Sequence, residues 1–303
     1  MAIYDQSYTP WIGTFASRAA RIRAMIAMEL AQPFKNLWVL IIVILSFSLV
    51  LGWLLILFAV GSQQIPLPAL FGNRIYRDGY YNFPVGVPVT LLSMILMGLS
   101  STVGASLISR DIRNRALLMY FSRSITRFDY LLAKFIALVA FLLIVTLGPG
   151  LLLFFGQIGM GTERLGIGER LADLGAIILH SLILTVPTSS MVLGFSSMSK
   201  RTYLAAIFWL TFFFLGVSLS EALCSSLKET WPKILSWPNV TAYLGDLCYQ
   251  FRPVVLVPGQ QPPGPRAPIL DTGPLPAILM LAGMTLLPLL VVWRRLRSVE
   301  AEE

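Results

Sequence analysis

Few residues of this chain have the types and spacing that chemistry needs. Its one histidine, His180, stands seven positions after Asp173, so a helix would carry both on roughly the same face. An ionisable pair at membrane depth suggests a proton relay. A relay needs further acids at that depth, and the sequence offers none, so a structural, hydrogen-bonded histidine is the simpler role. The two cysteines, Cys224 and Cys248, fit neither a CxxC nor a Cys/His metal spacing. Two unpaired thiols are expected of them, ahead of a single external disulfide. The phosphate-binding fingerprint GxxxxGK[ST] does not occur, and the Gly-rich stretch 159–168 lacks the lysine that would reach phosphates. Nor is there a GxSxG elbow, an HExxH pair or a carboxylate cluster. The expectation is a chain that is not an enzyme and binds no metal or cofactor.

Two other groups of side chains stand out. Glu29, Asp111, Arg113, Arg123, Arg127 and Asp129 carry charges that could pair with those of a docking partner, although solvated headgroup charges would read the same way. Phe208, Trp209 and Phe212, followed by Phe213 and Phe214, form an aromatic wall in which Phe208 and Phe212 are expected to stack at i and i+4. Such a wall suits a lipidic or aromatic cargo, and lipid-facing aromatics give the same pattern.

The elements that position these residues follow from composition. The 303 residues are 56% hydrophobic and 13% charged, with a mean hydropathy of +0.75. That is the profile of a polytopic membrane protein, and a single all-α membrane domain over 1–303 is expected. At 11–32, apolar residues recur at three- and four-residue spacing opposite Arg18, Arg21, Glu29 and Gln32, which reads as an amphipathic interfacial helix broken by Pro33. Six spans follow, at about 37–60, 88–108, 135–155, 173–199, 203–223 and 275–293. The first is uncharged over about 36 Å of helix. The second is rich in Gly, Ser and Ala, as close helix packing requires. The third meets Gly148-Pro149-Gly150 near its outer end, a gate or a frayed end.

Between the last two spans, 224–274 is expected to be an external, Pro-rich loop with a short re-entrant helix at 237–251. Asn239-Val240-Thr241 in it is a formal glycosylation sequon of the kind that arises by chance. The stretch before the first span lacks the basic start, apolar core and small-residue cleavage site of a signal peptide, so the first span is expected to direct insertion itself. With both termini inside, the cytoplasmic side carries 15 Lys and Arg against seven acids and the other side eight of each, so the whole net charge of +8 is cytoplasmic. This positive-inside pattern makes the lipid bilayer, and not nucleic acid, the partner that the basic balance implies.

The only long polar interruption in mid-chain is 109–134, SRDIRNRALLMYFSRSITRFDYLLAK, with six of the 23 basic residues. It is expected to be a cytoplasmic loop holding a short helix from Asp111 to Phe121, a break at Ser122-Arg123-Ser124, and a capping box, Thr126-x-x-Asp129, at the start of the third span. Asp111, then Tyr120-Phe121-Ser122-Arg123, then Arg127-Phe128-Asp129-Tyr130-Leu131-Leu132-Ala133-Lys134 resembles the segment between the second and third membrane helices of type-2 ABC transporter permeases. Ser124 stands where proline is common in that family, and Ala133 where glycine is.

The resemblance implies an exporter-class permease in a bacterial cell inner membrane, multi-pass with both ends cytoplasmic. It would be paired with a second permease subunit, identical or related, and driven by a cytosolic ATPase that holds ATP and Mg. It also makes Glu29, Asp111, Arg113, Arg123, Arg127, Asp129, Tyr130 and Lys134 the candidates for coupling to the ATPase; Phe208, Trp209 and Phe212 are the candidates for a substrate path, with lipid-facing aromatics as the alternative. The alternatives are a proton-coupled secondary transporter using Asp173 and His180, or a membrane-bound enzyme or assembly factor.

Overall fold

The computed structural model describes residues 17–62, 90–121, 125–160, 167–249 and 273–301. Helix α1 spans Arg18–Ala31 and starts at Ser17, whose Oγ accepts the Ala20 amide proton at 3.3 Å. Pro33 ends it in a 3-10 turn, and Asn36 Oδ1 then receives the Trp38 amide proton at the start of α2, Leu37–Ser62. The second span is α3 (Leu91–Leu99), a π turn (Ser100–Gly104) and α4 (Ala105–Arg113), followed by the short α5 (Ala116–Phe121). Helices α6 (Arg127–Met160), α7 (Ile167–Met198) and α8 (Thr202–Leu227) follow. A 3-10 turn at Trp231–Leu235 leads into α9 (Trp237–Tyr249), and α10 (Pro274–Ala301) completes the order.

Among the described residues there is no strand, and six helical stretches are long and apolar enough to cross a bilayer. The protein is an all-α, multi-pass membrane protein.

Helix α7 is the hub, packed against α4, α6, α8, α9 and α10. Its spanning window is 72% buried, against 22% for α2 and α8 and 17% for α10. The latter three therefore turn most of their apolar surface outward to lipid, with Trp38, Leu55, Leu215 and Leu287 among the exposed side chains. At the contact between the π turn and α7, a Cβ at Gly104 would lie 2.5 Å from Val192 Cγ1, so only glycine fits. Ser196 of α7 threads its hydroxyl into the backbone just past the π turn. It accepts the amide protons of Ile108 and Ser109 at 3.1 and 3.0 Å and donates to the Ala105 carbonyl at 2.8 Å.

Four boundaries differ from expectation, each for a local reason. Most of 109–134 is helix: the second span runs on through Arg113, the third begins at Arg127, and among the described residues between them the one separate helix is Ala116–Phe121. The helices continue because their polar residues pair with one another inside the bundle. A turn at Asn114-Arg115, where Arg115 adopts φ 52°, separates α4 from α5, and the expected break at Ser122-Arg123-Ser124 lies outside the described residues, just ahead of the non-helical 125 and 126.

In the third span, α6 passes unbroken through Pro149, so the helix neither breaks nor frays at Gly148-Pro149-Gly150. Proline there leaves the Val145 carbonyl without its helical donor, and Ser46 of α2 supplies one at 3.4 Å. Helix α7 starts at Ile167, six residues early, with Asp173 buried inside it. The segment after α8 folds back along that helix from Lys228, whose φ of 55° stops α8. Asn239 is buried in α9, closed to a glycan in the folded chain.

Candidate functional site

The charged residues singled out in the sequence converge beneath α1. Arg18, Ile22, Met25 and Glu29 fall on one helical stripe, and that stripe faces the N-terminal end of α6. At its N-terminal end, the Arg18 Nε lies 2.9 and 3.1 Å from the two oxygens of Asp129, and Nη2 lies 2.6 Å from Oδ1. Asp129 also completes the expected capping box. Its amide proton goes to Thr126 Oγ1 at 3.2 Å, and its Oδ2 accepts from the Thr126 amide at 3.4 Å. The Asp129 carboxylate raises the Arg18 pKa further above its usual value, through the hydrogen bond first and the opposite charge second.

At the other end of the stripe, Lys134 Nζ reaches Glu29 Oε1 at 2.6 Å and Asp111 Oδ2 at 2.8 Å. Tyr130 donates its hydroxyl proton to the same Asp111 oxygen at 2.8 Å, and the ammonium lies 5.5 Å from the centre of the Tyr130 ring. Lys134 is 1% exposed and Glu29 5%. Charges so enclosed persist only when paired and hydrogen-bonded, so the trio works as a unit. Tyr120 of α5 closes the cluster, 5.6 Å from the Tyr130 ring; burial first, and the Asp111 charge second, push its hydroxyl pKa up. One helical turn above, Arg110 donates to Gln32 just past the end of α1 at 2.5 Å.

Five of the eight proposed coupling residues therefore meet in two adjoining pairings: Glu29, Asp111, Tyr130 and Lys134 in one, Asp129 in the other. Their charges are satisfied within the chain and do not stand open at the surface as the sequence suggested. Glu29 moves furthest from expectation, from the polar side of an amphipathic helix to a buried position. Arg113 is exposed, Arg127 is half-buried, and Arg123 lies outside the described residues. Arg18 and Gln32 went unassigned in the sequence. The signal for Arg18 was its eleven-residue separation from Glu29, three helical turns that put both on one face.

The aromatic set divides. Trp209 is fully buried, donates its indole proton to Ser100 Oγ at 3.0 Å, and stacks on Phe212 at 6.3 Å between ring centres. Phe208 points outward, 49% exposed, so the i, i+4 stack expected between Phe208 and Phe212 gives way to the one with Trp209. Asp173 and His180 are both buried on α7, with His180 against the edge of the Tyr249 ring at 5.7 Å and a Cβ at Gly245 only 2.3 Å from its Nε2. Cys224 and Cys248 are free thiols.

The arrangement under α1 is a mechanical fastening. Two ion pairs hold an interfacial helix against the foot of α6, and α6 packs in turn on α2 and α7. Compared with known proteins, the chain matches no family model and no curated sequence.

Proposed function

We propose that the chain is the permease subunit of an ATP-binding-cassette exporter in a bacterial inner membrane, working beside a second permease subunit above two cytosolic ATPases. The observation that supports this best is the convergence on α1 of Asp111, Asp129, Tyr130 and Lys134, the residues that carry the resemblance to type-2 permeases. Residues up to 23 positions apart in that motif form one fastening. A fastening of this kind is what transmission of force demands: a partner that pushes on α1 or on the α4–α5 turn displaces α6 with it, and the hub α7 follows. ATP and Mg reside on the partner, and the spans re-orient a path for cargo between the paired subunits.

The test isolates the chain from native membranes in mild detergent. The expected complex holds an ATPase with a phosphate-binding loop at equal stoichiometry and hydrolyses ATP. Asp129→Asn keeps the cap, because its amide oxygen still accepts a proton, but gives up the charge that holds Arg18. It should leave folded permease in the membrane and weaken ATPase association or the link between hydrolysis and transport. Isolation of the chain alone, with proton-driven uptake after reconstitution, would sink the proposal in favour of a secondary transporter.

A further inference from the structure

The N-terminus of α9 lies deep in the bundle. The Leu235 carbonyl oxygen and Ser236 Cα sit 3.6 and 4.0 Å from the Cβ position of Gly216. Gly216 is eleven residues short of the end of α8, about 16 Å below it at the helical rise. Helix α9 therefore begins near mid-membrane and climbs outward, its first turn against Trp209 and Phe213, whose rings lie 6.3 and 5.7 Å from that of Trp237.

That first turn leaves buried donors unmet. Three side chains there have buried polar atoms without a hydrogen-bond partner in the protein: the Ser236 hydroxyl, the Trp237 indole N–H and the Asn239 amide nitrogen. Ser236 is fully buried, Trp237 is 2% exposed and Asn239 5%. Ser236 has the extended backbone of a cap residue, yet its hydroxyl caps nothing. The first intrahelical bond is that of the Val240 amide to the Ser236 carbonyl, so the Trp237 and Asn239 amides precede the ladder; Pro238 has no N–H. No acid sits in the first turn. Helical side chains lean toward the N-terminus, which brings the Asn239 amide toward Ser236. The positive end of a helix in low dielectric, with three unmet donor groups around it, is complementary to an oxyanion.

We propose that Ser236, Trp237 and Asn239, at the mid-membrane start of α9, form a binding site for an oxyanion, phosphate or carboxylate, borne by an amphiphile. The donors take the anionic head, and the aromatic surface of Trp209, Phe213 and Trp237 takes the apolar part. The donors are closed to solvent in this conformation, so the ligand enters as α9 and the preceding 3-10 turn part from α8. As a cargo site it rests on the transport reading; as a binding site it stands alone.

The experiment uses the full chain in dodecyl maltoside, with thermal unfolding followed against added dodecyl phosphate, inorganic phosphate or dodecyltrimethylammonium. Dodecyl phosphate should raise the melting temperature saturably, and the cationic amphiphile should not. A matching rise with inorganic phosphate assigns the site to a free anion; a rise with dodecyl phosphate alone assigns it to a lipid-borne one. Asn239→Leu and Ser236→Ala each remove a donor with little change of shape. Each should weaken binding about tenfold or more, as for loss of a hydrogen bond to a charged group. Their ligand-free melting temperatures should equal or exceed that of the parent chain, because an unmet buried donor has been removed. Undiminished affinity in both variants, no saturable response to either phosphate, or lower ligand-free stability in both would overturn the site. Binding that survives in a chain with no ATPase partner would keep the site and remove only its role as a cargo site.

Discussion

At the scale of single residues, Lys134 decides the most. Its ammonium pairs with two carboxylates from two other helices, so Lys134→Met leaves the buried Glu29 and the partly buried Asp111 without that cation, a change that costs about 3–5 kcal/mol. Removing the partner as well should relieve part of that cost. Glu29→Gln/Lys134→Met is expected to be more stable than the sum of the single variants by about 0.5–3 kcal/mol, measured by unfolding in detergent. Strict additivity would show that the two groups do not act as a unit. Cys248 supplies a second test. Burial pushes its thiol up to about 11, and its Sγ–H faces the Leu244 carbonyl at 3.2 Å. A raised thiol pKa means that the thiolate is scarce below it, about one molecule in a thousand at pH 8. Alkylation of Cys248 should therefore be slow at neutral pH and accelerate roughly tenfold per unit as pH rises toward 11. Rapid labelling of the folded protein at pH 7 would contradict the burial.

At the scale of elements, α8 shows how one helix serves two environments. Trp209 and Phe213 point into the bundle, whereas Phe208 and Phe214, one position away on either side of that pair, point out of it. Trp209→Ala should cost about 3–5 kcal/mol, since it opens a cavity beside Phe195, Phe212 and Trp237 and removes the bond to Ser100. Phe208→Ala should change stability by no more than about 0.5 kcal/mol. Equal losses from the two substitutions, read from folded yield and melting temperature, would mean that α8 is rotated from the orientation described. The prolines show a related economy. Pro149 sits in the middle of α6 without ending it, because a hydroxyl from the neighbouring α2 replaces the donor that the proline lacks.

At the scale of the whole molecule, the proposed orientation rests on the basic foot of the bundle. Asn114, in the exposed turn between α4 and α5, sits among Arg110, Arg113 and Arg115, and a cysteine placed there should react only with membrane-permeant reagents in intact cells. Labelling by an impermeant reagent from outside would invert the topology. The number of spans, the interfacial helix, the Thr126–Asp129 capping box and the short helix at Trp237–Tyr249 were legible in the sequence, because each depends on residues close together in the chain. Hydropathy counts apolar runs, and capping chemistry acts over three or four residues. The partners of the charges were not legible. Glu29 finds Lys134 across 105 positions and Arg18 finds Asp129 across 111, so sequence assigned to a polar surface what the fold enclosed. For the same reason 109–134 read as a loop, since a charged helix end looks solvent-seeking until its counter-charge arrives from another helix. The donors of Ser236, Trp237 and Asn239 carried no sequence signal at all. Only the folding of the 3-10 turn back against Gly216 took the start of α9 to mid-membrane, where water no longer meets the hydrogen bonds that the chain leaves open.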